Sequence, residues 1–179
     1  TVADAVVVGN LLISLLRRAD RVTSASLAQL VNVIAPIMTE PGGIAWKQTT
    51  FFPFALTSAL ATGSTVQTRV ESDTYETAAY GAVPVVDAVT THDPSTGRTS
   101  VFVVNRSQEA STTLSFDIST LGELGSWSAV TLSDADPYAV NTLEHPERVA
   151  PRENTTLAVE PGGAVTVELP AVSWTVISF

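Results

Sequence analysis

Few side chains in this sequence are placed to do chemistry. The histidines are His92 and His145, about fifty residues apart. A metal centre needs three or four ligands, so both read as solvated loop residues. Thiol catalysis, disulfides and zinc fingers are excluded, because there is no cysteine. Glycoside hydrolysis needs two carboxyl groups, about 5–5.5 Å apart for retention or roughly 6.5–9.5 Å for inversion. Residues 63–179 carry fifteen carboxylates, which on a β domain read mostly as the wetted face. Upstream, Glu40 alone follows an apolar strand-like run, and one carboxylate is half of such a pair. No G-x-S-x-G elbow or phosphate-cradling glycine loop is present. Asn105-Arg106-Ser107 and Asn154-Thr155-Thr156 match the glycosylation triplet, a pattern that often arises by chance. The most informative stretch is NVIAPIMTEPGGIAWKQTTFFPF, residues 32–54. Trp46 offers a flat apolar face of the kind sugars stack on. Gln48 offers both a donor and an acceptor, which suits a hydroxyl-rich ligand. Composition alone places Trp46, Phe51, Phe52 and Phe54 in a core.

The elements that must position these residues fall into two regions. Residues 1–62 carry four basic and three acidic side chains, whereas residues 63–179 carry five arginines against the fifteen carboxylates. The first region reads helix, strand, helix. Residues 3–18 place Val7, Leu11 and Leu15 on one stripe, with Val8, Leu12 and Leu16 beside it. Arg17 and Arg18 sit in the last turn, where the helix dipole favours cations. Residues 30–37 (LVNVIAPI) form a continuous apolar run that suits a strand buried on both faces of a parallel sheet. A second helix is predicted over residues 53–61, with Gly63 as its stop. If the run is a barrel strand, the residues after Ile37 lie on the catalytic face. The second region is all β, with strands predicted at 66–71, 84–91, 99–105, 112–119, 127–132, 164–169 and 173–177. Turn signals at residues 93–97 and 160–163 separate them, and residues 133–151 form a long proline-containing loop. A loop of that length is either functional or packed on a neighbour. The spacing suggests a sandwich or barrel.

The chain has 179 residues, 45% of them hydrophobic and 15% charged, with a net charge of −9. A chain this apolar buries a core and is not intrinsically disordered. No basic cluster is present, so nucleic acid is not expected as a partner. The longest apolar run, residues 5–16, is interrupted by Gly9, Asn10 and Ser14, and no membrane span is expected. The sequence opens with Thr1 directly inside a helical pattern, with no signal-peptide features. It is expected to be a piece of a longer polypeptide.

Several motifs carry a family resemblance. LAQLVNVIAPIMTEPGGIAWKQTTFFPF (residues 27–54) resembles the final strand and helix of the barrel in α-L-arabinofuranosidases of glycoside hydrolase family 51. VVVGNLLISLLRRADRV resembles the penultimate barrel helix of that family. VFVVNRS (101–107), NTLEHPERVAPR (141–152) and LPAVSWTVISF (169–179) resemble its C-terminal β domain. The resemblance covers nearly the whole chain.

It implies a mainly β fold: a jelly-roll-like antiparallel β-sandwich at 63–179, preceded by the last helix–strand–helix of a (β/α)8 barrel at 1–62. It implies a retaining enzyme that releases terminal α-L-arabinofuranosyl groups from arabinan, arabinoxylan and their oligosaccharides. Both catalytic glutamates are implied on barrel strands upstream of Thr1, so this piece is expected to be inactive alone. Gln48 takes the place of a glutamine that hydrogen-bonds the bound arabinose, and Trp46 that of a pocket wall. Lys47 stands where many relatives have Arg, and no role passes to Glu40. No metal or cofactor is implied. The implied partners are the rest of the barrel and further copies of the chain, in the cytoplasm. Without the rest of the barrel, residues 1–62 are expected to pack on the sandwich, dimerise or bind a separate fragment. Two further readings stay open: a carbohydrate-binding sandwich, for which Trp127 is the candidate platform because Trp174 reads as core, and a structural assembly domain.

Overall fold

The computed structural model describes residues 1–117, 126–161 and 163–179. The elements in chain order are α1 (Val2–Leu16), β1 (Ile37–Thr39), β2 (Ala45–Lys47), α2 (Phe51–Leu60), β3 (Ser64–Val66), β4 (Thr74–Thr77) and β5 (Gly81–Pro84). They continue with β6 (Val86–His92), β7 (Thr99–Asn105), β8 (Thr112–Asp117), β9 (Ser128–Leu132), β10 (Arg152–Glu153), β11 (Ala158–Val159), β12 (Ala164–Leu169) and β13 (Ser173–Ser178). All the strand pairs are antiparallel.

A six-stranded sheet, ordered β10-β9-β13-β7-β6-β3, forms the centre, and a three-stranded sheet, β11-β12-β8, faces it. The mainly β sandwich expected from the sequence is therefore present. Its central sheet is covered on both faces. Val86, Ala88, Val101, Val103 and Ile177 pack with Val167 and Leu169 of the small sheet. The alternate residues of the same strands, Val89, Phe102, Val104, Trp174 and Val176, pack with Val2, Ala5, Val6 and Ile13 of α1. Strand side chains alternate between faces, so a strand sandwiched between a helix and a sheet is buried on both. That is why all seven residues of β7 are buried. On β12 only Val165, Val167 and Leu169 are buried, as its alternating sequence predicts.

Helix α1 thus packs on the sandwich, one of the arrangements anticipated for residues 1–62. Its buried face is not the predicted stripe. Val2, Ala5, Val6, Gly9, Leu12 and Ile13 face inward, while Val7, Leu11 and Leu15 are exposed. This helix is apolar nearly all round, and periodicity cannot choose between two apolar stripes. Arg17 is the cap residue rather than part of the last turn. Its guanidinium pairs with Asp87, and it donates to the Ala88 carbonyl at 2.7 Å. That contact fastens the end of the helix to β6.

Residues 30–37 do not form the doubly buried strand expected of them. Leu30, Val33 and Ile34 are exposed, and the segment makes one parallel bridge, Val31 to Ile37. Gln29, Asn32 and Val33 adopt positive φ. A parallel strand needs neighbours to take its backbone hydrogen bonds, and beyond that bridge no strand among the described residues pairs with residues 30–36. Only Ile37 continues into β1, which pairs with β2 as a short hairpin. Helix α2 starts two residues before the expected position and ends at Leu60. Gly63 has φ 76° and starts the turn into β3.

Among the β strands, the run predicted at 66–71 is reduced to β3, which ends at Val66. The hairpin of β4 and β5 and the short β10 and β11 are additional elements. The last two residues of the strand predicted at 112–119, and Gly162 of the turn at 160–163, lie outside the described residues. The turn at 93–97 does join β6 to β7. There the Asp93 carboxylate accepts from the Ser95 hydroxyl at 2.7 Å and the Ser95 N–H at 2.9 Å. These hydrogen bonds, the hydroxyl first, hold its pKa below the ordinary aspartate value. Both glycosylation-like triplets serve the fold. Asn105 is fully buried, and the Asn154 side chain bonds Thr131, Glu168 and Thr156.

Candidate functional site

The sequence motif of interest runs along β2 and into the first turn of α2. Ala45, Trp46 and Lys47 form β2, paired antiparallel with β1, so Trp46 lies opposite Met38. The Gln48 N–H then donates to the Pro36 carbonyl at 2.8 Å, and the Gln48 carbonyl accepts from Phe51 N–H at 3.0 Å. The chain therefore turns at Gln48 from hairpin to helix. Thr49 is fully buried, and its hydroxyl donates to the Thr1 carbonyl at 2.5 Å. Lys47 is exposed, with its ammonium 4.9 Å from the Phe51 ring centre, a cation–π contact.

Trp46 and Gln48, the two residues singled out from the sequence, are brought together on one acceptor. The Trp46 Nε1–H donates to the Asn141 carbonyl at 3.3 Å, and Gln48 Nε2 donates to the same oxygen at 3.4 Å. Both side chains are half-buried. The Gln48 amide carbonyl makes no hydrogen bond among the described residues, and a second amide N–H is also unspent. The side chain thus presents one acceptor and one donor, the pair a sugar diol would use. Trp46 adds an apolar face beside it.

Asn141 was not singled out from the sequence. It is 3% exposed and sits in the long loop after β9. Its Nδ2 donates to the Lys47 carbonyl and to the Val149 carbonyl, each at 2.9 Å, and its Oδ1 accepts from Val149 N–H at 2.8 Å. The same loop reaches α1, where Val2 N–H and Ala3 N–H donate to the Ala139 and Pro137 carbonyls at 3.0 Å. The loop anticipated as functional or packed on a neighbour therefore packs on α1 and on the Trp46–Gln48 segment. Its length, its prolines and the resemblance of residues 141–152 were the signals in the sequence, and none of them singled out Asn141.

The remaining candidates take structural places. Glu40 is an exposed residue of the β1–β2 turn, where its carbonyl accepts from Gly43 N–H at 3.0 Å. His92 is hydrogen-bonded through Nδ1 to the Thr99 hydroxyl at 2.8 Å, across the β6–β7 pair. That half-buried position corrects the reading of His92 as a solvated loop residue. His145 is exposed in the long loop. Among the described residues, no three His, Asp or Glu side chains gather as a metal ion would need. Trp174 is fully buried against Phe102 and α1. Trp127 lies on the Phe179 ring with centroids 3.8 Å apart.

Comparison with known proteins agrees with this architecture. The α-L-arabinofuranosidase C-terminal domain profile matches residues 1–173. An exo-α-(1→6)-L-arabinofuranosidase of Bifidobacterium longum is 52% identical over 177 residues, which is 98% of this chain and 34% of that protein. An intracellular exo-α-(1→5)-L-arabinofuranosidase of Streptomyces lividans is 51% identical, covering 97% of this chain and 26% of that one. Among solved structures, a family 51 α-L-arabinofuranosidase from Bifidobacterium longum superposes with a TM-score of 0.93. It is 47% identical and covers 100% of this chain and 35% of that one. The Thermotoga maritima α-L-arabinofuranosidase, in its arabinose complex, gives a TM-score of 0.84 at 26% identity, covering 98% of this chain and 38% of that one. The chain spans about a third of the length of most of these relatives. On the profile match, the identity and the shared fold together, the chain belongs to the α-L-arabinofuranosidase C-terminal domain family of glycoside hydrolase family 51.

Proposed function

We propose that this chain is the C-terminal part of a retaining α-L-arabinofuranosidase. The whole protein would hydrolyse terminal non-reducing α-L-arabinofuranosyl residues of arabinan, arabinoxylan and their oligosaccharides. Both catalytic glutamates would lie in the upstream polypeptide, and this chain would contribute Gln48 and the Trp46 wall to the substrate pocket. The observation that carries this reading is the Gln48 amide. It is held on one side by the Asn141 carbonyl and leaves an acceptor and a donor unspent.

Residues 1–62 would complete the barrel, and residues 63–179 would support it from outside. The exposed apolar residues Val7, Leu11, Leu15, Leu30, Val33 and Ile34 support that placement. Covering such side chains removes apolar surface from water, which is favourable. In the longer polypeptide, the 30–37 run would gain strand neighbours and become the buried strand its composition suits. Several relatives are named as intracellular enzymes, which supports a cytoplasmic address. No helix is long and apolar enough to cross a membrane. Assembly into a homo-oligomer is part of the same reading.

The test is hydrolysis of an aryl α-L-arabinofuranoside. The 18.8 kDa chain alone is expected to show no turnover, and the polypeptide carrying the whole barrel is expected to be active. In the latter, Gln48→Ala should lower kcat/KM by about 10–100-fold, the worth of one or two pocket hydrogen bonds. Unaltered kinetics in that variant would remove Gln48 from the pocket.

A sugar-binding role for the sandwich by itself would need an open aromatic platform. Trp174 has no exposed surface, and Phe179 covers one face of Trp127. Titration of Trp127→Ala with arabino-oligosaccharides is expected to give the parent's affinity. A tenfold loss would instead make the sandwich a binding module.

A further inference from the structure

We propose that Asn141 is the positioning residue for Gln48, so that the sandwich sets which end of that amide faces the substrate. The inference rests on Gln48 being a substrate-binding residue, and deepens it.

A carbonyl oxygen can only accept a hydrogen bond. The Asn141 carbonyl therefore selects the NH2 end of the Gln48 amide and turns its Oε1 away. The flipped amide would set two oxygens against each other. Trp46 Nε1–H donates to the same carbonyl, which uses its second lone pair and ties the ring to the amide. The carbonyl is itself held in place. The buried Asn141 side chain donates to the Lys47 carbonyl, which belongs to the residue between Trp46 and Gln48, and also to the Val149 carbonyl. Val149 N–H returns a bond to Asn141 Oδ1 at 2.8 Å. The loop thus closes on itself and clasps both the backbone and the side chains of residues 46–48. Two further bonds, from Val2 and Ala3 to the loop carbonyls, fix its distance from α1. Gln48 is half-buried directly after a three-residue strand, and its amide hydrogen-bonds to nothing but this loop among the described residues.

A purely structural asparagine would affect the amount of folded enzyme, whatever stands at position 48. A positioning asparagine acts only while Gln48 is present. The experiment is a double-mutant cycle in the polypeptide that carries the whole barrel, reading kcat/KM on an aryl α-L-arabinofuranoside. Asn141→Asp keeps the acceptor for Val149 N–H and loses both donors. It is expected to lower kcat/KM about tenfold with Gln48 present, the worth of one ordered hydrogen bond. In the Gln48→Ala background the same change should cost less than about twofold. Asn141→Ser is run beside it, so that the cycle closes if the aspartate variant melts below the assay temperature. Equal losses in both backgrounds, or no loss in either, would overturn the positioning role. If Gln48→Ala alone leaves kcat/KM unchanged, the underlying reading of Gln48 fails, a result separate from the other two.

Discussion

Gly9→Ala should destabilise the protein by about 2 kcal/mol, although alanine is the better helix former. In an exposed helix interior, Gly to Ala gains about 1 kcal/mol. Gly9 is buried in α1, where it meets the indole of Trp174. A methyl group there would lie 2.2 Å from Trp174 Cδ1 and 2.8 Å from its Nε1. The ring is enclosed, since Trp174 is fully buried, lies between Val104 and Leu132 in the sheet and has Phe102 at 6.4 Å between centroids. Either α1 lifts from the sheet or the indole leaves its well. Overpacking of this kind costs about 1–3 kcal/mol and occasionally more, which outweighs the propensity gain. For a chain of this size the melting temperature should fall by about 4–8 °C. Ser14→Ala, on the exposed side of the same helix, should leave it unchanged or slightly higher. A Gly9→Ala protein that melts with or above the parent would mean that α1 does not press on Trp174.

The second large effect is expected at Asn105. This residue ends β7 with no exposed surface. Its Nδ2 lies 3.1 Å from the Ala110 carbonyl and 3.0 Å from those of Leu169 and Pro170, and its Oδ1 accepts from Ser107 N–H at 2.9 Å. One amide therefore ties the end of a central strand to the approach to β8 and to the β12–β13 turn, joining the two sheets at one corner. Asn105→Ala would strand several buried backbone groups without partners. Each such group costs about 1–3 kcal/mol, partly relieved by water. A net loss of about 3 kcal/mol is expected, read as a fall of about 10 °C in thermal melting. Asn105→Asp should not rescue it, because a carboxylate would face the same carbonyls. A variant melting within about a degree of the parent would show that the corner holds without this side chain.

These two positions show how differently the sequence spoke about the fold. Gly9 appeared as an interruption in an apolar run, and Asn105 as part of a chance glycosylation triplet. Neither residue's role is local. Gly9 is small because a tryptophan 165 positions later occupies the space. Asn105 is an amide because three carbonyls from 110, 169 and 170 converge on it. Trp46 and Gln48 were legible as candidates, because residue type and a family resemblance both pointed to them, and the structure brings the two onto one acceptor. Asn141 was not, because its contribution to Gln48 passes through a backbone carbonyl that any residue possesses.

The β class, the short alternating strands such as β12, the two helices and the segment that carries Gln48 were all legible in the residues alone. Each follows from local patterning: a period of two or of 3.6, β-branched runs, and Gly or Pro at the turns. Which stripe of α1 is inward, which strands are buried twice and what the long loop holds came from contacts between distant segments. In α1 both stripes are apolar, so the choice belonged to the surface it meets, the Phe102–Trp174 face of the central sheet. The 30–37 run has the composition of a doubly buried strand and is exposed here, while β7 and β13 hold that place. A strand's burial and its hydrogen bonds are supplied by its neighbours, and neighbours distant in sequence leave no mark on a strand's own residues.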